Sequence, residues 1–211
     1  MLDKLNVFGS SDLLDLKELL DSLDEISYET KLGKNLRNTL RKFDRELLID
    51  EIRNIIRHYC RSNIVSINYK YRIKSIQSAI MKYDKYYPDR QVSSCFNDVL
   101  GFRIFIDNWS DLDYLDFSKY NIRCVDLRNG KKVDDGYRAI HLYYQKSNYH
   151  YPIEIQIWKS SDKDFHNWLH KYSYKYLNTN IGLILRKFYD KGLIKTEEDF
   201  IKYINEIKRR L

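Results

Sequence analysis

A carboxylate stands in the middle of a strongly apolar stretch of the chain. Residues 153–157 read Ile-Glu-Ile-Gln-Ile, and this alternation predicts a β-strand with Glu154 and Gln156 on one face and the isoleucines on the other. A carboxylate in apolar surroundings costs free energy unless it meets a cation, a metal ion or hydrogen-bond donors. Glu154 is therefore a candidate site residue. The simpler interpretation is a strand whose outer face is half solvated, and the segment alone favours neither.

Two lysines and a serine are spaced to bind phosphate. Lys74, Ser78 and Lys82 follow one another at intervals of four residues, and a helix is predicted to begin at about Ser75. On a helix this spacing puts the three side chains on one face. Ammonium groups, a hydroxyl and the exposed N–H groups of a helix N-terminus together suit a triphosphate. A basic helix often has this spacing by chance, so the pattern alone is weak evidence.

Residues 98–106 form the most apolar predicted strand, yet they include Asp98 and Arg103. Two residues five positions apart on a regular strand point to opposite faces. Either the pleat is broken at Gly101, or only one of the two side chains faces the site.

A pair of histidines, His166 and His170, lies four residues apart on a predicted helix, which is a spacing that zinc ions use. The segment reads His-Asn-Trp-Leu-His and lacks the catalytic glutamate of a metalloprotease. No third ligand is apparent, so we do not expect a zinc site.

The net charge of +7 is unevenly distributed along the chain. Residues 1–29 hold eight acidic and two basic side chains, so the remaining 182 residues carry a net charge of +13. A body this basic suggests a polyanionic partner, and the alternative is ordinary solvation by surface lysines. The chain has no signal-peptide pattern, no membrane-spanning apolar run and three well-separated cysteines, which predicts a cytoplasmic protein with reduced thiols.

Residues 31–45 are rich in basic side chains. The pattern predicts an amphipathic helix that continues to about Tyr59, with a basic stripe next to Leu36, Leu40 and Phe43. The stripe is either a track for phosphates or a solvated helix face, and without further support the solvated face is favoured. Its candidate nucleic-acid ligands are Lys31, Lys34, Arg37, Arg41 and Lys42.

Helices are predicted at both ends of the chain, and a β-hairpin precedes the C-terminal helices. The first helix begins at Ser11 or Asp12, and residues 139–145 and 153–157 form the hairpin. The predicted division is N-terminal helices at 1–59, a core at 60–176 and C-terminal helices at 177–211.

Three blocks of the sequence occur in a defined order. They are Arg72-x-Lys74-x-x-x-Ser78-x-x-x-Lys82, Asp98-Val-Leu-Gly-Phe-Arg103, and Gly136-Tyr-Arg-Ala-Ile-His141 followed by Glu154-Ile-Gln-Ile157. Together they resemble the RelA/SpoT synthetase family, the pyrophosphokinases that make guanosine alarmones, and in particular its small, single-domain members. The resemblance implies an α+β fold similar to the nucleotidyltransferases. A mixed sheet of about five strands would be flanked by helices, with helical extensions at both ends.

The resemblance also implies a role for each matched residue. Arg72 and Arg103 would stack on the adenine of ATP. Asp98 and Glu154 would bind Mg²⁺, and Glu154 would also accept the proton of the attacking hydroxyl. Tyr137 would stack on the acceptor base, which makes it the third catalytic candidate. The other nucleotide contacts would be Lys74, Ser78 and Lys82 on the polyphosphate, with Arg138, His141 and Gln156 nearby.

The implied reaction is attack of a ribose hydroxyl on the β-phosphorus of ATP, which transfers pyrophosphate and releases AMP. The acceptor side departs from the alarmone makers. Residues 126–135 lack the family's Tyr and Pro-Lys pair, Trp158 and Lys159 replace its Arg-Thr, and Leu169 replaces the glutamate of a Glu-His pair. This pattern is similar to the toxic branch of the small synthetases, which pyrophosphorylates the 3′-terminal CCA adenosine of tRNA and blocks translation.

On this interpretation the basic residues of 31–45 would contact phosphates of the tRNA outside the active site. A neutralising antitoxin protein would be a further partner. A second interpretation is an alarmone synthetase that acts on GDP or GTP, and some toxic relatives instead make adenosine alarmones. A non-catalytic RNA-binding protein that kept the fold is an alternative from a different class.

Overall fold

The computed structural model describes residues 11–61, 70–172 and 179–209. Its strands are β1 (Lys70–Ile73), β2 (Leu100–Ile106), β3 (Ile122–Asp126), β4 (Ile140–Tyr144) and β5 (Ile153–Lys159). They form one five-stranded sheet in the order β1-β2-β5-β4-β3. The expected mixed sheet flanked by helices is confirmed, and β4 and β5 are neighbours, as the predicted hairpin requires.

The described residues also form seven α-helices. They are α1 (Ser11–Ile26), α2 (Arg45–Arg61), α3 (Ile76–Tyr86), α4 (Val92–Cys95), α5 (Lys163–Tyr172), α6 (Thr179–Asp190) and α7 (Glu197–Lys208). The residue pattern also predicts a strand over residues 63–72, and residues 63–69 of it lie outside the described residues.

The strands alternate between a buried apolar face and a partly exposed polar face. In β2, Phe102 and Ile104 are buried while Arg103 is partly exposed, and in β5 Glu154 and Gln156 are partly exposed between buried isoleucines. Helix α1 contacts β2, and its leucine stripe is buried. The buried side chains are Ile153, Ile155 and Ile157 of β5 and Leu16, Leu19, Leu20 and Leu23 of α1.

The register of β1 on β2 places Arg72 on the polar face. The two strands are antiparallel, and Arg72 stands opposite Gly101. Directly opposed residues of an antiparallel pair share a face. A Cβ added at Gly101 would lie 3.7 Å from Glu154 Oε2, so this is the face that carries Glu154.

The predicted helix over residues 31–45 is wrong in its first part. Only a 3-10 turn at Leu40–Lys42 precedes α2, which begins at Arg45. The reason is tertiary: the N–H of Leu36 donates to Asn148 O at 2.8 Å, and the N–H of Leu40 donates to Arg90 O at 2.9 Å. Backbone groups that bond to distant loops cannot also form the helical ladder. The basic side chains of this segment are exposed, but they do not form a helical stripe.

A buried carboxylate on α2 fastens this segment to the hairpin. Glu51 is 4% exposed, and its oxygens accept from Tyr151 OH at 2.6 Å, from Thr30 Oγ1 at 2.7 Å and from the N–H of Lys31. Three donors replace the water that the carboxylate loses on burial. These bonds fix residues 30 and 31 in a non-helical position just before Gly33. Gly33 itself has a φ of +61°, which a right-handed helix does not allow.

Replacing Glu51 by alanine is expected to lower the free energy of unfolding by about 3 kcal/mol, because it leaves two buried hydroxyls and an N–H without their acceptor. Glu51→Gln keeps an acceptor oxygen and should cost much less. Urea unfolding of both variants tests this, and equal losses would contradict the role given to the hydrogen bonds.

The chain forms two compact units. The first comprises Met1–Cys124 and His141–Ile157, and the second comprises Val125–Ile140 and Trp158–Leu211. The second unit has its own apolar core on α5, α6 and α7. This core consists of Phe165, Leu169, Ile181, Leu185, Ile194, Phe200 and Ile204.

Within the second unit, two glycines allow a loop and a helix to touch through their backbones. Gly136 has a φ of +82°, and a Cβ added there would overlap the carbonyl of Gly182 on α6. A Cβ added at Gly182 would in turn overlap the carbonyl of Asp135. Neither obstacle is a flexible side chain, so the backbone itself would have to move.

Gly182→Ala is therefore expected to destabilise the protein by about 1–3 kcal/mol, although alanine favours a helix over glycine. Lys187→Ala, at an exposed position of the same helix, serves as the control and should change stability little. Thermal unfolding measures both, and a stabilised Gly182→Ala protein would show that the close approach is not maintained in solution.

The three cysteines are free thiols, with Cys60 and Cys124 exposed and Cys95 buried. Burial raises the pKa of the Cys95 thiol to about 11. No helix within the described ranges is long and apolar enough to cross a membrane.

Candidate active site

Asp98 binds two lysines in the turn that precedes β2. Lys74 Nζ lies 2.7 Å from Asp98 Oδ2, and Lys82 Nζ lies 3.0 Å from Oδ1. Lys82 Nζ also donates to Asn97 Oδ1 at 2.8 Å. The cluster is largely enclosed, since 8% of the Lys74 side chain and 17% of the Asp98 side chain are exposed. Two predicted phosphate ligands and one predicted metal ligand are thus in direct contact.

The two lysines control the ionisation of Asp98. Burial alone would raise its pKa, but the charge of Lys82 and the hydrogen bond and charge of Lys74 outweigh that effect. The pKa of Asp98 therefore lies below its usual value of 3.8. The carboxylate is charged at neutral pH and neutralises part of the lysine charge.

Lys74 reaches this cluster from outside the helix on which the sequence pattern placed it. Helix α3 follows its N-cap Ser75, whose hydroxyl accepts from the N–H of Ser78 at 3.2 Å. Lys74 precedes the cap, and its N–H donates to Val99 O at 2.9 Å. This bond ties the segment to the turn that holds Asp98, so the two lysines converge although they share no helix face.

The predicted conflict between Asp98 and Arg103 does not arise. Because β2 begins at Leu100, Asp98 precedes the strand and the alternation of strand faces does not apply to it. Arg103 lies on the polar face, where its Nη2 donates to Gln156 Oε1 at 3.2 Å.

Glu154 is surrounded by polar groups on the same face. Tyr143 OH donates to its Oε1 at 3.0 Å, and His141 Nδ1 lies 3.1 Å from that oxygen. Gln156 Nε2 donates to its Oε2 at 3.0 Å. Only 13% of the Glu154 side chain is exposed, so these contacts compensate for its burial. The solvated-face interpretation of this strand is therefore wrong.

Tyr143 belongs to the site and was not predicted from the sequence. Burial raises the pKa of its phenol, and the charges of Glu154 and, to a lesser extent, Asp98 raise it further. The charges of both carboxylates thus raise the pKa of the same phenol. The signal that could have identified it is spacing, because Tyr143 follows His141 by two residues and must share its strand face.

The carboxylates of Asp98 and Glu154 match in type and number the protein ligands that Mg²⁺ takes. Mg²⁺ usually takes one or two protein carboxylates and completes its shell with phosphate oxygens and water. Asp98 and Glu154 supply that number and lie in one compact unit. The four oxygens now face lysines, Tyr143 and Gln156, so a bound ion would replace some of these contacts.

The other two predicted donor-side residues, Arg72 and Ser78, are exposed. Ser78 lies in the first turn of α3, where Ser75 Oγ donates to its hydroxyl at 2.9 Å. Arg72 lies on β1 opposite Gly101, on the face that carries Arg103. Both are accessible to a nucleotide.

Tyr137, in the second unit, is largely enclosed by its own neighbours. Trp158 Nε1 donates to its hydroxyl at 2.9 Å, and its ring centroid lies 4.5 Å from that of His166. Lys131 Nζ lies 5.1 Å from the ring centroid. With 9% of the residue exposed, an acceptor base can stack on Tyr137 only after Lys131 has moved. Stacking on an acceptor stays a prediction.

Arg138 is held by its own loop. Its guanidinium forms two bonds of 2.8 Å to the carboxylate of Asp134. Burial would raise the pKa of Asp134, but the hydrogen bonds from Arg138 and from the N–H of Gly136 keep it below its usual value. A phosphate contact by Arg138 therefore requires exchange with Asp134.

The two histidines of the predicted pair differ in their surroundings. His166 is buried, and its Nε2 accepts from the N–H of Arg138 at 3.3 Å, while His170 is exposed. Across residues 11–61, 70–172 and 179–209, no three His, Cys, Asp or Glu side chains are grouped to hold a metal ion.

The basic residues of 31–45 differ in their availability. Arg41 is paired with Asp89, and Lys34 Nζ donates to Lys42 O at 2.9 Å. Arg37 is exposed and lines a polar pocket with Arg123, which the sequence did not single out. Lys31 and Lys42 are also exposed.

No protein-family model matches the chain, and no curated protein matches it. Among solved structures, small alarmone synthetase 1 from Bacillus subtilis bound to its product pppGpp is 16% identical. It has a TM-score of 0.43, and the match covers 93% of this chain and 98% of that chain. Small alarmone synthetase 2 from Bacillus subtilis is 19% identical, with a TM-score of 0.41 and coverage of 95% and 97%.

A GTP pyrophosphokinase family protein from Streptococcus pneumoniae is 18% identical, with a TM-score of 0.39 and coverage of 93% of this chain and 95% of that chain. At these identities and TM-scores, the likenesses do not by themselves assign an activity to this chain.

Proposed function

We propose that this chain is an ATP-dependent pyrophosphokinase that transfers the β,γ-pyrophosphate of ATP to a ribose 3′-hydroxyl. The observation that carries the proposal is a pair of enclosed carboxylates in one compact unit, one of them paired with two lysines. Asp98 meets Lys74 and Lys82, and Glu154 lies on the polar face of the sheet among hydrogen-bonding groups. This combination suits a polyphosphate donor beside a hydroxyl acceptor.

In the proposed reaction the 3′-oxygen attacks the β-phosphorus of ATP. The bond from that phosphorus to the oxygen bridging it to the α-phosphate breaks, and AMP leaves. The hydroxyl proton passes to Glu154, which is the general base. Positioning and charge neutralisation account for most of the catalysis in such transfers.

On the donor side, we propose that the lysines release the Asp98 carboxylate when ATP binds and form ion pairs with its phosphates instead. Lys74 and Lys82 would then bind the polyphosphate, and Ser78 would contribute its hydroxyl. Asp98 and Glu154 would hold Mg²⁺, which neutralises phosphate charge when bound. The exposed Arg72 and the partly exposed Arg103 would flank the adenine, because guanidinium planes stack on a base.

On the acceptor side, we propose the 3′-terminal adenosine of tRNA, which would make the chain a toxin paired with a neutralising antitoxin protein. The proposal is supported by the altered acceptor-side motifs and by the exposed Lys31, Arg37 and Lys42 in the first unit. A polynucleotide needs phosphate contacts away from the reacting group. Guanosine nucleotides are the competing acceptor.

The test is a transfer assay with ATP labelled on its γ-phosphate and offered GDP, GTP, ATP and deacylated tRNA in parallel. We expect label in tRNA, and we expect it to be lost when the 3′-terminal adenosine has been removed. Label in a guanosine nucleotide would instead make the chain an alarmone synthetase. No transfer to any acceptor, with ATP still bound, would overturn the pyrophosphokinase proposal.

Salt dependence separates the two acceptors independently. With about four to six phosphate contacts, apparent affinity for tRNA should fall by orders of magnitude between low and moderate salt. A mononucleotide acceptor should show a much shallower slope.

A further inference from the structure

A polar pocket of about 290 Å³ opens in the first unit, beside the residues already described. Arg37 and Arg123 line it, together with Tyr143, Ser94, Asn97 and Gln145. Ligand pockets typically measure roughly 300–1,000 Å³, so this one is small. A pocket of this volume is too small for a stack of several nucleotides.

The pocket carries uncompensated positive charge. No carboxylate belongs to its lining. Within the part of the chain that the structure describes, neither the Arg37 guanidinium nor the Arg123 guanidinium forms an ion pair. An anion would therefore gain two cations here without displacing an acidic side chain.

The pocket also offers a stacking surface. The Arg123 guanidinium lies 4.3 Å from the ring centroid of Tyr143. Unstacked bases of single-stranded RNA bind on aromatic rings and on guanidinium planes, and both occur in this one wall. Asn97 Oδ1 accepts from Lys82 Nζ and Gln145 Nε2 donates to His150 O. The amide nitrogen of Asn97 and the amide oxygen of Gln145 are therefore the groups that can bond to the edge of a base.

Two residues that line the pocket form hydrogen bonds with the proposed catalytic and phosphate-binding residues. Tyr143 OH donates to Glu154 Oε1 at 3.0 Å, and Asn97 Oδ1 accepts from Lys82 Nζ at 2.8 Å. Asn97 is also the residue before Asp98. An occupant of the pocket is therefore one side chain away from the proposed general base and from the phosphate-binding lysines.

We propose that this pocket binds the nucleotide immediately 5′ of the reacting nucleotide in a single-stranded RNA acceptor. The inference rests on the proposed pyrophosphate transfer and specifies its substrate class. Arg37 neutralises the phosphodiester, and the Arg123–Tyr143 wall stacks the base. The pocket thus makes the enzyme prefer an oligonucleotide to a mononucleotide with the same 3′ end.

The test compares two acceptors that end in the same adenosine. One is the dinucleotide CpA, and the other is adenosine 5′-(methyl phosphate), which keeps the phosphodiester but lacks the preceding nucleoside. Base stacking is worth roughly 1–3 kcal/mol, so we expect kcat/KM to be roughly tenfold or more higher for CpA. Arg123→Gln should remove most of this ratio, whereas Arg57→Gln, an exposed arginine of α2, should preserve it.

A binding measurement separates failure of the pocket from failure of the proposed reaction. CpA with a 3′-deoxyadenosine cannot accept pyrophosphate, but it can occupy the pocket, and calorimetry measures its Kd. Weaker binding to Arg123→Gln than to Arg57→Gln supports the pocket even if no acceptor is ever pyrophosphorylated. A CpA ratio near one, or equal binding by both variants, overturns it. Equally tight, Arg123-dependent binding of the methyl phosphate also overturns it, since the pocket would then take a free mononucleotide.

Discussion

Glu154→Gln is expected to reduce pyrophosphate transfer by about 10³-fold or more. Glutamine has nearly the same shape, but it carries no charge and cannot accept the hydroxyl proton. A general base alone is worth roughly 10²–10⁴-fold. Loss of a proposed Mg²⁺ ligand adds to this, because the charge of the transferred group is then less well neutralised.

The substitution should leave the fold in place. Glutamine still offers one oxygen to Tyr143 OH, which lies 3.0 Å from the present Oε1. Initial rates at saturating ATP, together with thermal unfolding, distinguish a chemical defect from a folding defect. Glu25→Gln, at an exposed position of α1, is the matched control and should retain full activity. A Glu154→Gln protein within tenfold of the parent rate would end the assignment of Glu154 as the base.

Asp98→Asn is expected to reduce both activity and stability. The change leaves the ammonium groups of Lys74 and Lys82 without their shared carboxylate, and the Lys74 side chain is only 8% exposed. Removing one partner of a buried ion pair costs on the order of 3 kcal/mol. We expect activity to fall by about 10²-fold or more, because a proposed metal ligand is lost at the same time.

The stability difference should depend on pH in a defined direction. The pKa of Asp98 in the folded protein lies below 3.8, because Lys82 and Lys74 outweigh the effect of burial. Its contribution is therefore fully present above its unfolded pKa and is lost as the pH falls through the folded value. Urea unfolding should show a constant difference between parent and Asp98→Asn at pH 5–7, which shrinks below about pH 4.

Asp113→Asn provides the control for this experiment, since Asp113 is exposed and the substitution should change stability by less than about 0.5 kcal/mol. If the difference between parent and Asp98→Asn instead grew as the pH fell below 4, the contacts of Asp98 with the lysines would not stabilise the folded state.

The elements of the fold followed from local patterns. The alternation in residues 153–157 predicted both β5 and the face on which Glu154 lies, and the predicted hairpin partner is β4. The stripe of Leu13, Leu16, Leu20 and Leu23, at helical spacing, likewise predicts α1. These predictions succeeded because periodicity reports directly which side chains share a face.

The helix predicted over residues 31–45 was wrong, because a local pattern does not include the long-range hydrogen bonds of the backbone. Leu36 and Leu40 have helical spacing and are buried, as an amphipathic helix requires. Their N–H groups nevertheless bond to carbonyls of Asn148 and Arg90, far away in the sequence. Burial was therefore predicted correctly and the backbone conformation was not, because a pattern of apolar residues does not reveal the partner of a backbone N–H.

The sequence by itself determined the strand faces, since these depend on residue types at short spacing, whereas the residues proposed to bind the donor came from the family resemblance. Only the tertiary structure decided how they meet. Lys74 and Lys82 converge on Asp98 through the bond from Lys74 N–H to Val99 O, and not through a shared helix face. The pocket between Arg37 and Arg123 joins residues 86 positions apart. No local pattern encodes such a contact, because it forms only when the chain brings distant segments together.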